Sequence, residues 1–284
     1  MLLQNSSRLF LPTLALGGLL GSVALASMGA FPGLLLGADN NSSQNTFLQA
    51  VDPALTGGGR DQTLMFGDIL VGTTSEDLIM GRLGVDLLIG GQSDDVLVGG
   101  TEHFNPENRD RAFGGAGNDV FLWAPGDGSD FFDGGPGLDV VALGLIGEIN
   151  DAGDLVFQVT TDQQAGDVFI DPATGLPQMD VVNSPGFCEV IDDSTSVDSA
   201  AELDAIGIDR LVRFFIRGAA DSFAAGTQSD DNGLRVTLHL VDVEYLVCTS
   251  RDGGQIEAFD MTTQPPTQIR LGQVPVAAIG PIVQ

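Results

Sequence analysis

An all-β fold, a parallel β-roll with a β-rich domain behind it, follows from three features of the sequence. Aspartates recur at nine-residue spacing, glycine pairs precede them, and an apolar residue stands two positions past each. The aspartates fall in three blocks: Asp68, Asp77, Asp86 and Asp95, then Asp110 and Asp119, then Asp130 and Asp139. The clearest copies read Gly-Gly-x-Gly-x-Asp, at 114–119 and 134–139, and Gly90-Gly91 opens the repeat that ends at Asp95. A nonapeptide of this kind marks a chain wound into short parallel strands.

Each position has a physical task. Glycine permits the positive φ angles of a tight turn and lets backbone carbonyls converge on an ion. Past the aspartates stand Leu70, Ile79, Leu88, Leu97, Ala112, Phe121, Phe132 and Val141. All are apolar, as a strand with one buried face requires. A calcium ion takes about six to eight oxygen ligands, which a stack of glycine turns and neighbouring carboxylates supplies without any helix. With two nonapeptides per coil, carboxylates eighteen apart share an edge: Asp68 with Asp86, Asp77 with Asp95. The expected ligands of several Ca2+ ions are the eight aspartates with the turn residues Gly90, Gly115, Gly117, Gly126, Gly128, Gly135 and Gly137.

Over about residues 67–142 these repeats resemble the RTX family, the hemolysin-type calcium-binding repeats of secreted bacterial toxins, proteases, lipases and surface proteins. The resemblance implies a right-handed parallel β-roll, ions held between coils, and a segment largely disordered until calcium arrives. It implies no single activity, because such repeats accompany very different functional domains. The chain departs from the pattern in places. Thr73 and Ser75 replace glycines ahead of Asp77, Arg82 replaces one ahead of Asp86, and Ser93 one ahead of Asp95. The first coils are therefore expected to bind an ion more weakly. Asp110 has no glycine turn before it, only Asn105-Pro106-Glu107-Asn108-Arg109.

The chain carries 39 acidic against 11 basic residues and a formal net charge of −28. Aspartate supplies most of the acids, and every basic residue is arginine. Repulsion expands such a chain when calcium is absent, and each bound ion removes two units of charge, so folding and binding become one equilibrium. A surface adapted to high salt is the other explanation of this acidity. Under either, nucleic acid is excluded as a partner.

Residues 9–36 are almost uncharged behind the single Arg8, and Val23-Ala24-Leu25-Ala26 offers a signal-peptidase pattern. This predicts a signal peptide over 1–26 and a secreted, extracellular protein. A second candidate cleavage site follows Gly37-Ala38. An uncleaved anchor is the competing reading, and only then does the chain have a membrane partner. Residues 27–60 read as a disordered linker, 61–144 as the roll, and 145–284 as a β-rich capping domain. Cys188 and Cys248 suit one disulfide in an exported chain, the alternative being two buried thiols.

Beyond Val141 the repeat stops. Residues 167–182 read as strand, turn and strand around Asp171-Pro172-Ala173-Thr174-Gly175, and 199–205 as a short helix capped by Asp198. Strands are expected at 211–217, at 235–247 with an irregularity at Leu240-Val241, and at 255–259. Such a domain covers the open end of a roll.

No catalytic motif is present. His103 and His239 are the only histidines, no Gly-x-Ser-x-Gly elbow occurs, and lysine is absent. His103 reads as part of a solvated loop, His239 as a surface residue, Phe187 as core, and Trp123 as packing at the coil surface. Asp192-Asp193, Asp230-Asp231 and Glu202 with Asp204 are the remaining candidates for paired-carboxylate hydrolysis. The sequence therefore predicts a calcium-binding, non-enzymatic protein with a structural or cell-surface role and a polysaccharide or cell-surface partner. The alternatives are a secreted hydrolase acting through 145–284 and a membrane-tethered adhesin.

Overall fold

The computed structural model describes residues 34–36, 46–49, 67–82, 84–100, 109–150, 152–157, 167–191, 207–217, 235–275 and 282–283. These residues are nearly all β, with no α-helix and one short 3-10 turn at Leu271–Gln273 among them. The expected helix at 199–205, the leader at 1–26, His103 and the three acidic groups at 192–193, 202–204 and 230–231 lie outside the described residues.

Two eight-stranded sheets carry the fold. The first takes β1 (Leu34–Leu36), β3 (Ile69–Val71), β5 (Leu87–Gln92), β7 (Arg111–Ala116) and β9 (Phe131–Asp133). It then continues into β18 (Arg235–Val241), β17 (Arg210–Ile216) and β16 (Gly186–Ile191). The second takes β2 (Thr46–Gln49), β4 (Asp77–Met80), β6 (Val96–Val98), β8 (Val120–Trp123) and β10 (Val140–Leu143). Its continuation is β19 (Tyr245–Thr249), β20 (Ile256–Asp260) and β21 (Thr267–Ile269). From β3 to β10 consecutive strands alternate between the sheets, and every pairing within a sheet up to β18 and β19 is parallel. Strands β1 and β2 fall within the segment read from sequence as a linker.

The register places one residue of each coil above its equivalent in the next. Leu70, Leu88, Ala112, Phe132 and Leu240 form one row, and Ile79, Leu97, Phe121, Val141 and Leu246 the other. All eight apolar positions picked out by the aspartate spacing are fully buried in one core cluster. Phe121 and Phe132 stack at 5.2 Å between ring centroids. Each bulky member contributes about 1.5–3 kcal/mol by leaving water. The outer face of the second sheet is buried too: Leu78, Met80, Val96, Val98, Val120, Leu122, Val140 and Ala142 join Ile146, Val168, Met179, Val181 and Val274 in another cluster.

The chain beyond residue 145 extends both sheets. Strand β18 pairs in parallel with β9, and β19 with β10, so the two add a further coil before the antiparallel pairs β18–β17–β16 and β19–β20–β21. Residues 235–247 are thus two strands in opposite sheets, not one strand with a bulge. The corner falls at Asp242, whose φ is +47 and whose N–H donates to Asp209 Oδ2 at 2.9 Å. Trp123, expected at the surface of the coil, lies fully buried against Phe214 at 4.8 Å between centroids. Two small sheets complete the fold: β11 (Leu145–Ile146), β15 (Met179–Asp180) and β22 (Ile282–Val283), and β13 (Leu155–Val156), β12 (Glu148–Ile149) and β14 (Asp167–Val168). The turn expected at 171–175 forms, with Gly175 N–H bonded to the Asp171 carbonyl at 2.7 Å.

Cys188 on β16 and Cys248 on β19 form a disulfide, Cα to Cα 6.2 Å, which ties the first sheet to the second. Beside it the Arg217 guanidinium donates to the carbonyls of Ser184, Gly186, Ser250 and Arg251, holding the ends of the same strands together. Replacing both cysteines with alanine is expected to remove about 2–4 kcal/mol, the usual effect of closing a loop of this size. Urea unfolding of the variant beside the oxidised protein measures it, and equal midpoints would show that the bond carries no stability.

Candidate metal site

Every repeat aspartate opens a strand or sits one residue before it, and its side chain turns into the corner between two strands. In all but Asp68 and Asp77, which have no repeat aspartate one coil earlier, Oδ1 accepts a hydrogen bond from the backbone N–H of the aspartate in that coil. Along one edge Asp86 accepts from Asp68 at 2.6 Å, Asp110 from Asp86 at 2.6 Å, and Asp130 from Asp110 at 2.8 Å. Along the other, Asp95 accepts from Asp77 at 2.8 Å, Asp119 from Asp95 at 2.8 Å, and Asp139 from Asp119 at 2.7 Å. The pairs eighteen residues apart therefore do meet, through a ladder of carboxylate-to-backbone bonds. Asp68 is half-buried; the other seven are buried.

The corners need glycine for space as much as for conformation. A Cβ on Gly72 would sit 2.5 Å from Asp77 Oδ2, and one on Gly81 2.6 Å from Asp86 Oδ2. Gly90, Gly114 and Gly134 underlie Asp95, Asp119 and Asp139 in the same way. Of the glycines expected as ligands, Gly115, Gly117, Gly126, Gly128 and Gly135 have positive φ; Gly90 and Gly137 do not, and stand where a Cβ would meet Asp95 Oδ2 and the Gly117 carbonyl. Arg82 and Ser93, standing in for glycine, adopt φ of +68 and +72, the left-handed region their neighbours' glycines occupy. Thr73 instead donates N–H and Oγ1 to the Asp77 carboxylate, at 2.5 and 3.3 Å. Some turn carbonyls bind the coil before, as Gly134 accepting from Gly115 N–H at 3.0 Å and Pro136 from Gly117 N–H at 3.2 Å.

The ladder uses one oxygen of each carboxylate. In Asp95, Asp119, Asp130 and Asp139 the other, Oδ2, is buried with no hydrogen-bond partner. Burial raises these carboxyls first, and neighbouring carboxylates raise them further: Asp95 and Asp139 to about 8, Asp119 to about 6, Asp130 well above the usual range. A buried, uncompensated charge of this kind takes up either a proton or a cation.

Two acidic side chains outside the repeat positions join the columns. Glu244, at the corner between β18 and β19, accepts from Asp139 N–H through Oε2 at 2.7 Å and so ends one column; burial raises its carboxyl as well. Asp127 enters the other edge. One carboxylate oxygen from each of Asp110, Asp127 and Asp130 lies within 4.8 Å of the other two, and all three residues are buried. Gly99 leaves the space, since its Cβ would stand 2.7 Å from Asp110 Oδ2 and 2.9 Å from Asp127 Oδ2. Sequence reasoning assigned Gly126-Asp127-Gly128 to the turn and passed over its side chain. The available signal was a third carboxylate inside a glycine-flanked corner. This group can hold a metal ion, and its all-oxygen donor set suits a hard cation.

No protein-family model matches the chain, and no curated protein or solved structure is significantly similar to it. No helix among the described residues is long and apolar enough to cross a membrane. His239 lies half-buried beside Thr237 on β18, and Phe187 is buried.

The raised carboxyls fix the sign of a pH effect in metal-free protein. Their folded values lie above the unfolded value of 3.8, so the folded chain binds protons that the unfolded chain releases. That contribution is complete below about pH 4 and is lost as pH rises through about 6 for Asp119 and about 8 for Asp95 and Asp139. Melting in a chelator is therefore expected at a lower temperature near pH 8 than near pH 5. A melting temperature that is flat or rises over that interval would show these carboxylates to be solvated.

Proposed function

We propose that the protein is an exported calcium-binding protein whose repeats form a right-handed, RTX-like parallel β-roll that folds as Ca2+ enters its glycine-lined corners, in a structural or cell-surface role. The observation that carries this is the pair of carboxylate columns, in which Asp95, Asp119, Asp130 and Asp139 are each buried with an oxygen the fold itself does not use. The residues fit the ion: Asp95, Asp119 and Asp139 with Glu244 would hold calcium on one edge, Asp110, Asp127 and Asp130 on the other. Bound calcium supplies the positive charge that lets these carboxylates stay ionised out of water. The chain positions them on rigid strands, leaves room for them with glycine, and fixes one oxygen of each by the ladder. Burial of the apolar rows then becomes favourable, and folding strengthens with free ion by about 2.7 kcal/mol at a hundred times the dissociation constant.

Far-ultraviolet circular dichroism of residues 27–284, which keep β1, titrated with calcium after chelation and with magnesium as control, tests this. A cooperative gain of β signal with calcium alone is expected. The double variant Asp119→Asn, Asp139→Asn should raise the calcium midpoint about tenfold or more by removing two ionic ligands. An unchanged titration in that variant would remove these aspartates from the ligand set, and no calcium response in the parent would remove the function.

A further inference from the structure

Building on the calcium-binding function above, we infer that Asp127 makes the Asp110–Asp130 corner a discrete site for one calcium-sized cation whose filling seats the C-terminal strand β18 on the coils before it. The repeat provides one carboxylate per corner in each coil. Asp127, three residues ahead of Asp130, adds a third to a space that Asp110 and Asp130 already share. Independently, Asp130 is fully buried and its Oδ2 has no hydrogen-bond partner. Oxygen donors alone disfavour zinc and copper, which take nitrogen and sulfur. Magnesium keeps several of its waters, which a fully buried corner does not accommodate. Calcium accepts carboxylates and carbonyls in irregular geometry.

The same corner is where the C-terminal strands dock. Thr237 N–H donates to Ser129 Oγ at 3.2 Å, and His239 N–H donates to the Asp130 carbonyl at 2.9 Å. Trp123 Nε1–H donates to the Gly128 carbonyl at 3.2 Å while its ring packs on Phe214 of β17. Residues 128–130 thus bond β18 directly and hold Trp123, which packs on β17, and the turn that presents them also presents two of the three carboxylates. Without a cation, mutual repulsion of three close charges drives this turn open and carries the docking groups away. A cation closes it.

Trp123 is the single tryptophan of the chain and bonds the turn of this corner, so terbium luminescence excited through it reports ions bound near it, and the part lost in Asp127→Asn is the part bound here. Terbium titration of the full chain is expected to show sensitised emission that calcium displaces and magnesium does not. Asp127→Asn should weaken that binding about ten- to a hundredfold, whereas exposed Asp252→Asn should leave it unchanged. Hydrogen exchange in saturating calcium adds a second readout: the amides of Thr237 and His239 should exchange at least about tenfold faster in Asp127→Asn, while the strands β3 to β8 stay protected. A parental terbium curve in Asp127→Asn, or unaltered exchange at both amides, overturns the inference even if circular dichroism still shows calcium-driven folding. Absence of any metal response in the parent by either method overturns the calcium function and this site together.

Discussion

A buried carboxylate at every corner is the constraint on which the rest of this structure depends. Each coil turns from one sheet to the other through a corner whose aspartate N–H needs an acceptor out of water, and the next coil's carboxylate is that acceptor. The bond is charge-assisted and local to the coil interface, so it sets the stacking register of both sheets at once. It also leaves a charge inside the molecule. In Asp95, Asp119, Asp130 and Asp139 one oxygen serves the fold and the other sits uncompensated. Stacking and charge neutralisation are therefore two demands on the same side chain, and the glycines beside Asp95, Asp119 and Asp139 leave room for both.

A stack built this way has a termination problem, since its last coil offers backbone groups with no repeat to meet them. The chain answers by continuing the stack with residues that do not repeat. Strands β18 and β19 form the next parallel coil, and Glu244 reaches the Asp139 N–H from a corner without the glycine turn. Antiparallel partners then close off each sheet, and the disulfide and Arg217 join the two where only side chains span the gap. The second sheet buries both of its faces, the usual condition of parallel strands.

The core was legible in the sequence because one residue type at one offset decided it: the positions two past each aspartate carry the same task in every coil. The columns were legible because the residues inserted between blocks leave the alternation of aspartates between the two edges intact, so the columns align although the coils differ in length. What escaped were residues outside that register. Glu244 and Asp127 have no repeating partner to mark them, and an acid in a chain with 39 of them carries little information by type alone. The corner at Asp242 escaped because the break in alternation at Leu240-Val241 reads equally well as a bulge within one strand, and a period of two does not reveal a change of sheet. Trp123 stands two positions past the inward Phe121 and so shares its face by the period of two, but the repeat marks only the Phe121 position as core; the packing of β17 over the end of that strand completes its burial.

The acidity of the chain takes on a different meaning once the aspartates are placed. Carboxylates that adapt a surface to salt work by holding water and ions in solvent, and they must be exposed to do so. Asp77, Asp86, Asp95, Asp110, Asp119, Asp130 and Asp139 are all buried. Their charge is therefore spent against low-dielectric surroundings and against one another, where it opposes folding unless something neutralises it. Protons do this at low pH and cations at any pH where the carboxyls ionise. Asparagine would serve the same backbone bond without charge, so the repeated cost of burying an acid at these corners is the feature on which the proposed cation binding rests. The acidity of the repeats belongs to the interior, not to the surface.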